Sequence, residues 1–269
     1  MTELLLHPFI IRAVLCGGLI SLCAALLGVN LVLKRYSMIG DGLSHVGFGA
    51  LSLSVALGAA PLAVSAPIVI AAAFLLLRIN ESTRIKGDAA IALISTSALA
   101  AGVIITSVAG GTNTDISALM FGSILAVNQV DVFISAALSI VVIIMFVLFY
   151  NKLFAATFDS SFAKTSGINT NALNALTAVL TAVTIVIGMR IMGTLLISSL
   201  IIFPALTSMR LFKKYKSVCV SSAIVSVGCF VVGMILSLAL SLPAGASIVA
   251  ANLAVFIVFC VLSKTVRTA

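Results

Sequence analysis

Residues 38–48 read Met38-Ile39-Gly40-Asp41-Gly42-Leu43-Ser44-His45-Val46-Gly47-Phe48, an apolar stretch interrupted by a carboxylate and an imidazole. Asp41 and His45 are four residues apart, which places both on one face of an α-helix. The chain has only 7 acidic residues and 2 histidines. Because ionisable side chains inside a membrane helix are energetically expensive, their pairing here indicates a functional site.

The composition places this stretch in a membrane protein. The chain is 62% hydrophobic and only 8% charged, with a mean hydropathy of +1.33. A soluble domain carries about 25% charged residues, so this chain cannot cover itself with polar surface. The net charge of +8 is not arranged as a basic patch interleaved with aromatic residues, which argues against nucleic-acid binding.

Apolar runs of about 20 residues, the length that a spanning helix needs, recur along the whole chain. The candidate spans are 10–33, 38–58, 61–79, 88–109, 131–150, 171–189, 193–209, 219–240 and 245–263. We therefore predict an all-α polytopic membrane protein, with residues 1–269 forming a single transmembrane domain of about nine helices. The number becomes eight if 193–209 or its neighbour 171–189 is re-entrant.

The positions of the basic residues predict the orientation of the chain. With the N-terminus outside and nine alternating helices, the inside segments hold 13 of the 15 basic residues. Only Arg12 and Arg190 remain on the outer side. This bias follows the positive-inside rule and predicts an outside N-terminus and a cytoplasmic C-terminus.

The inner connection 151–170 has the pattern of a short helix. Asp159 or Ser160 can cap its start, and Gly167 suits its end. Phe158 and Phe162 are four residues apart and predict one apolar side. Such a helix is either a docking site for a partner or an ordinary amphipathic connector, and the spacing alone does not decide between them.

The Asp41–His45 pair has three interpretations on spacing alone. Carboxylate oxygen and imidazole nitrogen are ligands for cations such as Mn²⁺ and Zn²⁺, and two ligands from one helix would hold an ion loosely. The pair could instead relay protons, or neutralise itself and serve packing only.

Other polar residues flank the outer connection 110–130. Asp115 and Asp131 could give an entrance negative potential, although Asp131 could equally be a helix start with a favourable charge. Arg190 has no evident partner in the sequence.

Several common functional motifs are absent from the sequence. There is no G-x-x-x-x-G-K-[ST] motif, so the chain does not bind ATP through a P-loop, and there is no G-x-S-x-G or H-E-x-x-H. The five cysteines lie in apolar stretches without a C-x-x-C spacing, which predicts neither a disulfide framework nor a thiolate metal site. An intramembrane enzyme would need a further strong ligand and a general base deep in a span.

Five sequence elements together resemble the membrane permease subunits of zinc and manganese ABC importers. They are Ile39-Gly-Asp-Gly-Leu-Ser-His45, Lys86-Gly-Asp88-Ala, Phe121-Gly-Ser-Ile-Leu125, Gly193-Thr-Leu-Leu-Ile-Ser-Ser-Leu-Ile-Ile-Phe-Pro204-Ala and Pro243-Ala-Gly-Ala-Ser247. The elements run in the family's order and cover nearly the whole chain. The first is specific, and the others are individually weaker.

The resemblance implies the partners and the site residues. The expected assembly is a dimer of permeases in a bacterial-type inner membrane, with two cytoplasmic ATP-binding subunits and an extracytoplasmic metal-binding protein. Asp41 and His45 would lie on the metal path, and segment 151–170, with Phe158, Asp159, Phe162 and Gly167, would dock into the ATPase. No cofactor would be bound permanently, because the divalent metal is the transported substrate.

Two rival functions share parts of this pattern. A proton-coupled secondary transporter would use the Asp41–His45 pair as a relay and would need no ATPase. A permease for a chelated metal cofactor would share the architecture, with a wider cavity and no need for the pair. The ligand types suit zinc, manganese and iron alike, and the sequence does not distinguish a homodimer from a pair of related permeases.

Overall fold

The computed structural model describes residues 8–82, 87–110, 120, 122 and 127–268. This part of the chain forms eleven α-helices and no strand. The helices are α1 (Pro8–Leu33), α2 (Ser37–Ala56), α3 (Pro61–Ser82), α4 (Gly87–Val108), α5 (Gln129–Leu148), α6 (Tyr150–Phe158), α7 (Ser160–Thr165), α8 (Thr170–Met192), α9 (Thr194–Leu211), α10 (Tyr215–Leu240) and α11 (Ala244–Thr268). The all-α prediction is confirmed.

Each of the nine predicted spans coincides with one long helix. Within the described residues, eight helices are long and apolar enough to cross a membrane. The ninth long helix, α2, has 20 residues but falls short in hydropathy, because glycines, serines, Asp41 and His45 occupy many of its positions. By length and composition, α8 and α9 both qualify as spans, and α2 is the long helix that does not.

Helix α1 lies at the centre of the bundle. It packs against α5, α8, α9 and α10, and it is 26 residues long, or about 39 Å at 1.5 Å per residue. Its buried residues include the small side chains Ala13, Cys16 and Ala24, which let neighbouring helices approach closely.

Helix α2 is enclosed by four neighbours, α3, α4, α8 and α9. Its approach to α4 is close, because a Cβ added at Gly49 would lie only 2.7 Å from the carbonyl oxygen of Ala98. The sequence is therefore poor in large side chains along α2 for a packing reason. This enclosure supports a helix that is less apolar than the others.

Candidate functional site

Asp41 and His45 lie on adjacent turns in the first half of α2. The carboxylate Oδ2 of Asp41 is 3.7 Å from Nε2 of His45. The intervening Ser44 donates its hydroxyl hydrogen bond to the backbone oxygen of Asp41 at 2.7 Å, so that bond stays within the helix. The prediction that the pair shares one helix face is confirmed by this geometry.

The pair is neither sealed in the core nor open on a surface. The Asp41 side chain is 38% exposed and the His45 side chain is 22% exposed. Nδ1 of His45 is buried and has no hydrogen-bond partner within the described part of the chain. Both side chains therefore remain partly accessible, while Nδ1 of the imidazole is held inside the bundle.

The residues on either side of Asp41 are glycines that pack against apolar side chains. The glycines beside Asp41 give room to side chains of two other helices, since a Cβ at Gly40 would lie 3.1 Å from Ile201 and one at Gly42 would lie 2.7 Å from Ile91. Helices α4 and α9 therefore approach α2 closely on both sides of Asp41.

The ligand set is incomplete in a single copy of the chain. The described residues contain no group of three or more His, Cys, Asp or Glu side chains that could together hold a metal ion. A resident zinc site would take four ligands, or three with an open position. Two ligands suit an ion that binds briefly and leaves.

The end of the bundle predicted to face outside contains an ion pair between two residues distant in the sequence. Arg190 of α8 forms an ion pair with the Asp131 carboxylate of α5, whose side chain is 6% exposed. Asp131 also completes a capping box with Asn128 at the start of α5. Of the two roles predicted for Asp131, the helix start is observed, and its charge is balanced by Arg190. Asp115, the other predicted entrance carboxylate, lies outside the described residues.

Two described residues of the outer connection contact the junction between α8 and α9. The Thr194 hydroxyl donates to the backbone oxygen of Met120 at 3.4 Å, and a Cβ at Gly122 would lie 2.2 Å from the carbonyl carbon of Met192. Gly193 between the helices has φ +86°, which favours glycine. The remainder of this connection, including Phe121 and Ser123, lies outside the described residues.

The inner segment is two short helices with one residue shared between them. Asp159 ends α6 and caps α7, accepting hydrogen bonds from the backbone N–H groups of Ser161 at 3.0 Å and Phe162 at 2.9 Å. The single short helix carrying both Phe158 and Phe162 is therefore wrong. Phe158 closes α6 and Phe162 belongs to α7, because the extended backbone of Asp159 separates them.

Gly167 ends α7 as the sequence predicts. Its N–H donates to Lys164 and the N–H of Ile168 donates to Ala163, which together form a Schellman motif. The glycine has φ +77°. Phe158 is 58% exposed and Phe162 is 63% exposed, so this end of the bundle presents two aromatic side chains that the chain itself does not cover.

A groove of about 590 Å³ adjoins this segment. It runs between the α1–α2 turn, α6, α7 and the start of α8, and Lys34, Arg35 and Lys164 contribute to its walls. No carboxylate lines it among the described residues. The inner segment therefore presents apolar rings beside a positively charged recess.

The sequence does not predict the contact between Tyr215 and Asn30, which links the inner segment to α1. The Tyr215 hydroxyl donates to Oδ1 of Asn30 at 2.6 Å across 185 positions of the chain. Because the two residues are so far apart in the chain, only the packed bundle brings them together.

Known proteins are similar to this chain over nearly its full length. The manganese import system permease protein ScaB of Streptococcus gordonii is 30% identical over 250 residues, covering 93% of this chain and 90% of that protein. The high-affinity zinc uptake system membrane protein ZnuB of Haemophilus influenzae is 29% identical over 245 residues, covering 91% and 94%. The structure of PsaBC from Streptococcus pneumoniae in complex with Fab aligns with a TM-score of 0.85 at 29% identity, covering 96% and 93%.

The family assignment rests on more than these individual relatives. The profile of the ABC 3 transport family matches residues 6–263. The fold and the relatives agree on a permease subunit. This chain belongs to the ABC 3 transport family.

Proposed function

We propose that this chain is the membrane permease of an ATP-driven importer of divalent metal ions, with zinc or manganese as the substrate. The observation that carries the proposal is the Asp41–His45 pair, 3.7 Å apart on a helix enclosed by four others. One carboxylate oxygen and one imidazole nitrogen form a ligand pair that suits both metals. The printed names of the relatives divide between manganese and zinc.

The ion would pass the pair without being stored there. A site that bound the ion with a complete shell would release it slowly, whereas two ligands plus water allow entry and exit. The partial exposure of both side chains supports contact with a water-filled path in at least one state of the transporter. Alternating access then requires two states whose relative stability depends on the nucleotide.

The motor would be a separate chain. ATP-binding subunits would dock on 151–170, where Phe158 and Phe162 offer apolar contacts and Lys34, Arg35 and Lys164 offer positive charge. A second permease copy and an extracytoplasmic metal-binding protein would complete the assembly. The positive-inside distribution of the sequence supports placing the inner segment in the cytoplasm of a bacterial-type inner membrane.

The test is metal uptake by cells that express the intact transporter. We expect Asp41→Asn and His45→Ala to reduce uptake by at least tenfold while membrane abundance and ATPase co-purification persist, since loss of even an outer-shell partner of a metal ligand costs about 10–100-fold in affinity or activity. Ser44→Ala is the matched control, because Ser44 lies between the two residues and its hydroxyl bonds within the helix. Competition among zinc, manganese and iron identifies the substrate.

Unchanged uptake in both variants would contradict the metal-path role. Uptake that persists without the ATP-binding subunits but collapses with a proton uncoupler would instead support a proton-coupled transporter that uses the pair as a relay.

A further inference from the structure

Tyr215 joins the inner segment to the centre of the bundle. It is the first residue of α10 and is only 5% exposed. Its ring lies among three rings of α6, with centroid distances of 5.4 Å to Tyr150, 5.6 Å to Phe154 and 6.2 Å to Phe158. These three residues are spaced by four, so they form one face of α6. We call these four residues the aromatic cluster.

The hydroxyl of Tyr215 leaves the aromatic cluster and reaches α1. It donates to Oδ1 of Asn30 at 2.6 Å, and Asn30 is 3% exposed. The thiol of Cys219 lies beside the hydroxyl, but a thiol is a weak hydrogen-bond partner. One tyrosine therefore contacts α6 through its ring and α1 through its hydroxyl.

Asn30 is directly connected to the start of α2. Its backbone oxygen accepts a hydrogen bond from the N–H of Lys34 at 3.1 Å, and Tyr36 donates to the adjacent Leu31 at 2.7 Å. Only residues 34–36 separate α1 from α2. Displacement of α1 at Asn30 is thus transmitted through a short, hydrogen-bonded turn to the helix that carries Asp41 and His45.

We propose that Tyr215 is a positioning residue that couples movement of the inner segment to α1 and α2 through its hydrogen bond to Asn30. The proposal rests on the proposed function. A tyrosine suits this role because its rigid side chain has two torsions, and because the ring and the hydroxyl bind different elements. Loss of the hydroxyl leaves the ring packed against α6 but disconnects it from α1.

The experiment compares ATP hydrolysis and metal uptake in the complete transporter reconstituted with its ATP-binding subunits and metal-binding protein. We expect Tyr215→Phe to lower the metal transported per ATP hydrolysed by at least fivefold, within the range of about 5–150-fold typical of coupling between sites. Tyr150→Phe is the matched control. It makes the same change in the same aromatic cluster, at a hydroxyl with no hydrogen bond in the described part of the chain.

A double variant separates coupling from stability. Tyr215→Phe leaves the buried Oδ1 of Asn30 unpaired, whereas adding Asn30→Val removes both partners and so relieves this penalty. We expect the double variant to recover thermal stability but to keep the low ratio of transport to hydrolysis. Recovery of the ratio together with stability would overturn the proposal, because the bond would then serve folding only.

Two further results have defined meanings. A transport ratio for Tyr215→Phe within twofold of the ratio for Tyr150→Phe would also overturn the proposal. If the wild-type assembly hydrolyses ATP without moving zinc, manganese or iron, the metal substrate of the proposed function is wrong. The ratio of transport to hydrolysis is then measured with the ligand that the assembly does transport, and the same comparison tests Tyr215.

Discussion

Arg190 on α8 forms an ion pair with Asp131 on α5, joining two helices that are 59 positions apart at this contact. Asp131 is nearly buried, and the same carboxylate accepts the N–H of Asn128 at 3.1 Å. Arg190 and Arg12 are the two basic residues predicted to lie on the outer side. Arg190 therefore balances the charge of a buried acid, Asp131. This pair fixes the start of α5 against the end of α8.

Removing the arginine should destabilise the bundle. We expect Arg190→Ala to lower the free energy of unfolding by about 3 kcal/mol, the lower end of the cost of leaving one partner of a buried pair unpaired, because Arg190 is 31% exposed. Thermal or chemical unfolding of the purified protein measures this change. Arg12→Ala is the control at the same end, and an equal loss there would contradict a specific role for the pair.

The choice between nitrogen and oxygen ligands should set metal preference. We expect His45→Asp, which replaces imidazole with a second carboxylate near Asp41, to shift uptake from zinc towards manganese by about tenfold, since carboxylates suit manganese and imidazole suits zinc. Paired uptake measurements with both metals give the ratio. An unchanged ratio with preserved uptake would show that selectivity is set away from His45.

Gly167 should be required for its backbone conformation alone. A Cβ there meets no atom within 4 Å, so the expected cost of Gly167→Ala, about 1–2 kcal/mol, comes from φ +77°. Gly228→Ala is the matched control, because Gly228 also has open space but lies inside α10. We expect that control to be neutral or stabilising in the same unfolding measurement.

The two exposed rings of the inner segment should differ in their effects. We expect Phe162→Ala to weaken association with the ATP-binding subunit by about 2 kcal/mol, or roughly 30-fold in Kd, while the isolated permease keeps its stability. Phe158→Ala should reduce both, because its ring also packs against Phe154 at 4.9 Å.

Co-purification and binding titrations measure the association, and unfolding measures the stability. Phe133→Ala is the control, since Phe133 is 76% exposed on α5, away from this segment. Undiminished binding by Phe162→Ala would exclude α7 from the docking surface.

The sequence predicted what depends on local pattern. Runs of apolar residues located every long helix, and the i,i+4 spacing brought Asp41 and His45 together because a helix fixes that geometry. Gly167 was identified from its place after a helical run, since few other residues adopt a positive φ. These features follow from residues that are neighbours in the chain.

The features that the sequence missed depend on contacts between distant helices. Arg190 and Asp131 could not be paired until the packing of α5 and α8 was known, and Tyr215 gave no sign of Asn30. The cap at Asp159 was predicted, but the helix that ends there, α6, was missed for a different reason. An aspartate can end one helix and cap the next, and the spacing of Phe158 and Phe162 is the same in either case.

The low hydropathy of α2 has a consequence for how the protein enters the membrane. Asp41 lies near the start of α2, where its cost is below that of a charged residue at a helix centre, about 2.5–3.5 kcal/mol, but the glycines and serines of α2 do little to offset it. Its principal neighbour α4 is synthesised later, so α2 emerges from the ribosome before the surface that covers it exists. We therefore expect α2 to insert late, together with α3 and α4, so that Asp41 and His45 enter the bilayer already covered by neighbouring helices.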